Sequence, residues 1–226
     1  MTTYQQFTLN TESAKQADAG GRIEHTGKYV GVIKSMEFVT AKSGAQGFEI
    51  SFESDAKEYT TVTIWTVSKD GQSLSGTHKI NALLTCCSVR SLTPTEQALE
   101  KYDFDLKQKV KRLCTVAPEI AGKRIGLLLQ RENYINGQGQ QRHQMNFFAA
   151  FSAESELMAK EILDRKTTPE LLPKALDRLL AVGDSSRQQS SNQGGGYAQP
   201  QTSYQSNNSY QSSPARPADL DDDLPF

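Results

Sequence analysis

Residues 48–67, FEISFESDAKEYTTVTIWTV, contain two segments of alternating polarity joined by a polar turn. In the first segment the apolar positions are Phe48, Ile50 and Phe52, and the residues between them are polar. Successive side chains of a β-strand point to opposite faces, so this pattern predicts a strand with one buried face. The second segment, residues 58–67, predicts another strand.

In this second strand, alternate residues point to opposite faces. Val62 and Ile64 point one way and fit a protein core. The opposite face carries aromatic and hydroxyl side chains, namely Tyr59, Thr61, Thr63 and Trp65. Unstacked nucleobases can lie on a surface of this kind. The alternative is a core position for Trp65, because strand parity can slip at a bulge.

Residues on both sides of this pair extend the β pattern. Residues 29–40 predict an earlier strand, with Gly31 where the strand bends or bulges. Residues 75–89 predict a short helix, whose apolar side would be formed by Ile80, Leu83, Leu84 and Cys87. Beyond Pro94, Thr95 is predicted to cap a turn.

A hairpin and two helices follow. Residues 124–134 and 140–151 have strand-like composition, and the Asn-Gly pair between them favours a hairpin. The first helix is predicted over residues 153–165, and Thr168 and Pro169 are predicted to open a second. Three strands, a helix and a hairpin form the element order of an OB-fold. The sequence therefore predicts a mainly β, five-stranded OB-fold barrel with a helix between strands 3 and 4, and other small β-barrels are the alternative.

The composition indicates that part of the chain is unpacked. The hydrophobic fraction is 36% and the mean hydropathy is −0.57, both low for a fully folded chain of 226 residues. Residues 183–218 are mostly Ser, Gln, Asn, Gly and Pro, which predicts a disordered linker with a reach of roughly 35 Å. The predicted organisation is a flexible arm at 1–21, an OB-fold domain at 22–152, C-terminal helices at 153–182, the linker at 183–218 and an acidic tip at 219–226.

Charge is distributed unevenly along the chain. Residues 183–226 hold five acidic and two basic residues, which leaves 23 Lys and Arg against 21 Asp and Glu in residues 1–182. The excess of positive charge is greatest in residues 101–145, and a basic segment of this kind favours an anionic ligand. Combined with the aromatic residues, it predicts a single-strand binding site. The candidate residues are Tyr59, Trp65, Lys107, Lys109, Lys111, Arg112, Lys123, Arg124, Arg131, Tyr134 and Arg142.

The sequence contains no recognisable catalytic constellation. The three His are isolated, the Cys lack zinc-ligand spacing, and there is no Gly-rich phosphate loop. We therefore expect a protein that is not an enzyme and needs no cofactor or metal. The three Cys show no pairing pattern and are expected to be reduced, which predicts a cytoplasmic location. No signal peptide or membrane partner is expected.

The last residues have the character of a docking peptide. Asp219, Asp221, Asp222 and Asp223 precede Leu224, Pro225 and Phe226. Burial of Leu224 and Phe226 in a partner's pocket can supply roughly 1.5–3 kcal/mol each. The carboxylates would meet basic residues around that pocket. The tip is therefore predicted to bind other proteins.

The tip resembles the C-terminal ends of single-stranded DNA-binding proteins (SSBs) of bacteria and their phages, which finish in an acidic run, an apolar residue, Pro and Phe. The match covers residues 221–226, with Leu224 where bacterial members usually carry Ile. The body, residues 20–165, is similar to the OB-fold SSBs of tailed phages and prophages, notably in residues 21–53, 80–86 and 122–132. The longer arm and the extra helices depart from cellular SSBs, so whether the chain forms a homo-oligomer stays open.

The resemblance implies sequence-independent binding of single-stranded DNA in replication, recombination or repair, with the tip recruiting other proteins of DNA metabolism. Two alternatives stay open from the residues alone. One is an OB-type adaptor of the replication machinery that binds nucleic acid weakly. The other is an RNA-binding chaperone.

Overall fold

The computed structural model describes residues 8, 9, 11, 20–103 and 108–187. Contacts divide the chain into two units, Met1–Gln189 and Ser190–Phe226, and every described residue belongs to the first. The predictions for the acidic tip, for Lys107, and for most of the arm and linker therefore lie outside the described residues.

Eight strands and three α-helices lie within residues 20–103 and 108–187. The strands are β1 (Gly27–Thr40), β2 (Gln46–Ser54), β3 (Tyr59–Val67), β4 (Thr95–Asp103), β5 (Gln108–Val116), β6 (Arg124–Ile135), β7 (Gln141–Phe151) and β8 (Ser185–Arg187). The helices are α1 (Gly76–Cys86), α2 (Ala159–Leu163) and α3 (Leu171–Val182), and a 3-10 helix spans Pro118–Ile120. The predicted mainly β class is confirmed.

All eight strands belong to one sheet. The hydrogen-bonded order is β3-β2-β1-β5-β4, and β1 also pairs with β6, which pairs with β7 and β8. The β6–β8 pair is parallel and the other pairs of described strands are antiparallel. β3 and β7 lie side by side, but no ladder joins these two strands in the described structure.

β1 is long enough to pair with both β2 and β6. Its first part, from Gly27 to Val32, pairs with β6, and its pairing with β2 runs from Gly31 to Thr40. The β1–β2 register shifts between Ile33 and Ser35, and such an irregularity bends a strand. This irregularity lies two to four residues after Gly31, where the sequence predicts a bend or bulge.

The main core lies between the sheet and α1. Ile50 and Phe52 of β2 and Val62 and Ile64 of β3 are at most 4% exposed, as their alternation predicts. Phe48 is partly buried against the same cluster. Further members are Ile80 and Leu83 of α1 and Ile125, Leu127 and Leu129 of β6. α1 contacts both β3 and β7, so it spans the gap where those two strands have no ladder.

A second apolar cluster forms where α3 covers the opposite face of β6 and β7. Leu128 and Phe151 pack there with Leu172, Ala175 and Leu179 of α3. Neighbouring residues of β6 therefore contribute to different clusters, which explains why its centre is apolar on both faces. Leu180, on the same helix, does not join this cluster, because its side chain is 56% exposed.

The β4–β5 hairpin is absent from the sequence prediction. The prediction that Thr95 caps a turn is wrong, since Thr95 is the first residue of β4 and pairs with Val116 of β5. Most described side chains of β4 are exposed, so the strand shows no apolar alternation by which it could be recognised. With these two strands and β8, the sheet has eight strands instead of the predicted five.

The elements after β7 also differ from the prediction. α2 is much shorter than the predicted helix at 153–165, and α3 begins at Leu171 without a cap from Thr168. The buried carboxylate of Glu161 explains this start: its Oε1 accepts hydrogen bonds from the backbone N–H groups of Glu170 (2.6 Å) and Leu171 (2.8 Å). Ser185–Arg187, which the sequence assigns to the linker, forms β8.

Candidate nucleic-acid interface

β3 presents a row of outward side chains. Tyr59 is 57% exposed and Trp65 is 38% exposed, with the exposed Thr61 and Thr63 between them. At about 3.3 Å per residue, Tyr59 and Trp65 lie roughly 20 Å apart, so they cannot contact the same base. The outward orientation predicted for both rings is confirmed. Their contact with DNA stays a prediction.

The position of Trp65 depends on two glycines. Gly47 is its cross-strand partner on β2, so the position directly opposite the indole carries no side chain. Gly76, the first residue of α1, packs against the backbone of Trp65. A Cβ at Gly76 would overlap the carbonyl oxygen of Trp65 and lie 2.9 Å from Ile64 Cγ2. Glycine at position 76 therefore lets α1 approach β3 closely enough to support Trp65.

One lysine of β4 pairs with a carboxylate on β1 and a carboxylate on β2. Glu37 of β1 and Glu49 of β2 face each other across the ladder. The Nζ of Lys101, on β4, lies 2.6 Å from Glu37 and 3.0 Å from Glu49. Burial favours a lower pKa for Lys101, but the two carboxylates outweigh this effect and raise the pKa. Lys101 thus anchors the β4–β5 hairpin and reduces the repulsion between these carboxylates and a phosphate.

The far end of the β6–β7 hairpin contains a basic cavity of about 890 Å³ beside β8. The residues predicted there, Arg131, Tyr134 and Arg142, line one cavity, so the structure brings these three candidates together. Arg187 and His143 line it as well. Arg187 was not among the candidates. Its only sequence signal is that it is one of two basic residues in residues 183–226.

The cations of this cavity are not equally available. Arg131 donates from Nη1 to the carbonyl oxygen of Glu24 (3.3 Å) and from Nε to Asn133 Oδ1 (3.0 Å). It therefore ties the segment before β1 to β6. Arg187 pairs with Glu132 at 2.7 Å. Arg142 is exposed and donates to the side chain of Gln140, so it is the arginine best placed to meet phosphate.

The remaining candidates do not join this cavity. Lys111 and Arg112 are exposed on β5, Lys109 belongs to the same strand, and Lys123 is exposed just before β6. Arg124, the first residue of β6, forms an ion pair with Asp55 at 2.6 Å. It lies seven residues from Arg131, or roughly 23 Å along an extended strand. The structure thus separates the predicted basic residues into at least three places.

A cleft between β3 and β7 holds residues that the sequence prediction missed. It measures about 390 Å³, and its lining includes Trp65, Lys79 and Phe148. Lys79 donates from Nζ to the carbonyl oxygen of Phe147 at 2.7 Å, and burial lowers its pKa. The only signal in the sequence is a lysine beside the apolar positions of a short helix, and this pattern is common in surface helices.

The described residues give no indication of catalytic chemistry by cysteine or metal. Cys86, Cys87 and Cys114 are unpaired, as predicted, and all three are buried. Burial raises the pKa of both Cys86 and Cys87 to about 12, so these thiols stay protonated at neutral pH. Within the part of the chain that the structure describes, no group of His, Cys, Asp and Glu could hold a metal ion. No helix in that part has the length and apolar character needed to cross a membrane.

Comparisons with known proteins give no family. The sequence matches no protein-family model and no curated protein sequence. The functional argument therefore depends on the surfaces described above.

Proposed function

We propose that the chain is a non-enzymatic protein that binds single-stranded DNA without sequence preference and recruits other proteins of DNA metabolism through its acidic tip. In this proposal the body is an OB-fold barrel that coats and protects the strand. The linker then presents the tip to partner proteins in replication, recombination or repair.

The strand connections support an OB-fold body. Setting aside the β4–β5 hairpin and β8, the order is β3-β2-β1-β6-β7, and β7 returns to the side of β3. α1 lies in the chain between the third strand and the next barrel strand. A partly open five-stranded barrel with this connection is the OB-fold arrangement. The β4–β5 hairpin then corresponds to an insertion between the helix and the fourth barrel strand.

The outward row on β3 is the observation that carries the proposed function. OB-folds bind oligonucleotides on the face of strands 2 and 3 and with the loop between strands 4 and 5. Tyr59 and Trp65 expose their rings on the first of these surfaces, and the basic cavity with Arg142 lies beside the second. Aromatic stacking with nearby cations is the combination that holds single strands regardless of sequence.

The test is a titration of the full chain with fluorescein-labelled oligo-dT at low salt, followed by anisotropy. Trp65→Ala should weaken binding by roughly 1–3 kcal/mol, because one stacking platform is lost. The salt dependence should change little, since stacking releases no counterions. Trp65→Phe is the matched control, as it retains an aromatic face and should keep most of the affinity.

The two alternative functions, an adaptor and an RNA-binding chaperone, predict different results in this titration. An adaptor with weak nucleic-acid binding would leave the anisotropy unchanged at low salt, which would overturn the proposal. An RNA chaperone would bind oligo-rU at least as tightly as oligo-dT in direct competition. Steep loss of affinity with rising salt, together with preference for DNA, is the result expected here.

A further inference from the structure

The cleft between β3 and β7 has the dimensions of a small-ligand site. Its volume of about 390 Å³ lies at the lower end of the range of roughly 300–1,000 Å³ for such sites. It forms where β3 and β7 lie side by side without a ladder, so the edges of both strands border it. The N-terminal turn of α1 contributes Gly76 and Lys79 to its lining.

Two aromatic side chains border the cleft from opposite strands. Trp65 belongs to β3 and Phe148 belongs to β7, and both line it. Arg178 of α3 lies over the Phe148 ring, 5.3 Å from its centroid, and thereby supports this ring from outside the cleft. Planar aromatic ligands gain from stacking between such residues, and nucleobases are ligands of this shape.

The polar lining offers hydrogen-bond donors. Lys79 is half-buried, and a lysine ammonium has three donors. One donor meets the carbonyl oxygen of Phe147 at 2.7 Å. Its pKa is lowered by burial alone, which indicates that no carboxylate compensates its charge among the described residues. A half-buried cation of this kind favours an acceptor-rich ligand.

Two amide side chains complete the lining and are held by other groups. Gln130 donates from Nε2 to the carbonyl oxygen of Gly183 at 2.8 Å, and Asn146 accepts from Gln144 at 3.2 Å. These bonds fix the orientation of both amides. The flexible and charged donor in the cleft is therefore Lys79.

We propose that this cleft receives one base of the bound strand between Trp65 and Phe148, and that Lys79 makes it favour guanine. The inference rests on the proposed binding of single-stranded DNA and modifies it: one position of the bound strand has a base preference, and the contacts at the other positions are independent of sequence. Guanine presents two adjacent acceptors, O6 and N7, and lysine is a usual donor to them. Adenine stacks similarly but places an amino donor where guanine has O6, so it would meet Lys79 donor to donor.

The experiment compares oligonucleotides of equal length made from repeated TTG or repeated TTA, so that only one purine differs. With the full chain we expect the TTG strand to bind about tenfold more tightly. Replacing guanine by 7-deazaguanine, which lacks the N7 acceptor, should remove much of this preference. Both measurements use the unchanged protein, so neither depends on a variant that folds.

Two variants test whether Lys79 causes this preference. Lys79→Met keeps the aliphatic stem and should bring the ratio of the two affinities close to one. Lys174→Met is the matched control, because Lys174 is exposed on α3 and does not line the cleft. It should leave the ratio unchanged, whatever it does to overall affinity.

The outcomes separate this inference from the function on which it rests. Equal affinity of the unchanged protein for the two strands would overturn the guanine pocket and leave single-strand binding intact. A preference that survives Lys79→Met would also overturn it. Absence of binding to either strand at low salt would overturn the proposed function and the pocket together.

Discussion

Gly76 packs against Trp65 so closely that a side chain at position 76 has no room: its Cβ would overlap the carbonyl oxygen of Trp65. Gly76→Ala should therefore push α1 away from β3 and destabilise the fold by about 1–3 kcal/mol, as overpacking usually does. The emission of Trp65, the only tryptophan, should shift as its surroundings change. Chemical denaturation and fluorescence spectra of the folded variant measure both effects.

Gly21→Ala serves as the control for this substitution. A Cβ at Gly21 would have no atom within 4 Å, so stability and Trp65 emission should be unchanged. If Gly76→Ala were equally silent, Gly76 would have no part in positioning the indole.

Arg142 and Arg131 should respond differently to substitution, although both line the basic cavity. Arg142→Gln should reduce the slope of log affinity against log salt by about one unit, with stability unchanged, because the proposed contact with phosphate is lost. Arg131→Gln should mainly lower the unfolding midpoint, since it breaks the bond to the Glu24 carbonyl. Salt titrations and thermal unfolding of both variants test this. Equal effects on the slope would contradict the structural role of Arg131.

These two arginines also show how much of the fold and of the candidate site can be predicted from the sequence. The alternation of residues 48–67 and the Asn-Gly turn predict β2, β3 and the β6–β7 hairpin, because side-chain burial on a strand follows a period of two. The same hairpin places Arg131, Tyr134 and Arg142 together. The sequence does not reveal that Arg131 bonds to Glu24, because this contact joins residues more than a hundred positions apart. Composition therefore overstates the number of cations available to a ligand.

The β4–β5 hairpin and the cleft were missed for a similar reason. β4 has little buried surface, so its sequence lacks the apolar period that marks a strand. The cleft exists because β3 and β7 approach without pairing, and residues of β3, α1, β6 and β7 meet there. The proximity of these residues is a property of the tertiary structure, so no local pattern in the sequence indicates it.

Lys101→Met should loosen the β4–β5 hairpin. Without the ammonium, Glu37 and Glu49 face each other as like charges across the ladder, and we expect a loss of about 1 kcal/mol. The double variant Lys101→Met/Glu49→Gln should recover most of this loss, because one of the two charges is removed. Thermal unfolding of the single and double variants measures the loss of stability and its recovery. No recovery in the double variant would show that Lys101 acts through packing.

Glu161→Gln should destabilise the α2–α3 connection in a way that depends on pH. The carboxylate is buried, which favours a higher pKa, but backbone N–H groups of Met158, Leu171 and Glu170 outweigh burial and hold the pKa below 4.5. A lowered pKa in the folded state stabilises the protein above pH 4.5, and this contribution is lost as the pH falls through the folded pKa.

The stability difference between the unchanged protein and Glu161→Gln should thus be about 2 kcal/mol at pH 7 and shrink below pH 4.5. Denaturation curves across this range measure it. Glu154→Gln is the control, since Glu154 is exposed, and it should show no such dependence. A difference that stays constant with pH would mean that the charge of Glu161 is unimportant.

Deleting the acidic tip, residues 219–226, should separate two activities of one peptide. In the proposed function, the linker that the sequence predicts lets the carboxylates of the tip compete with phosphates for exposed cations such as Arg142. Truncation should therefore raise affinity for oligo-dT at low salt. The gain should diminish at physiological salt, where screening acts over about 8 Å. Recruitment of purified replication and repair proteins should be lost.

Phe226→Ala distinguishes the role of the apolar anchor from that of the carboxylates, because it removes the anchor and keeps every aspartate. Recruitment should fail while competition with DNA persists. Weaker DNA binding after truncation, or normal recruitment by Phe226→Ala, would show that the tip is not the docking peptide.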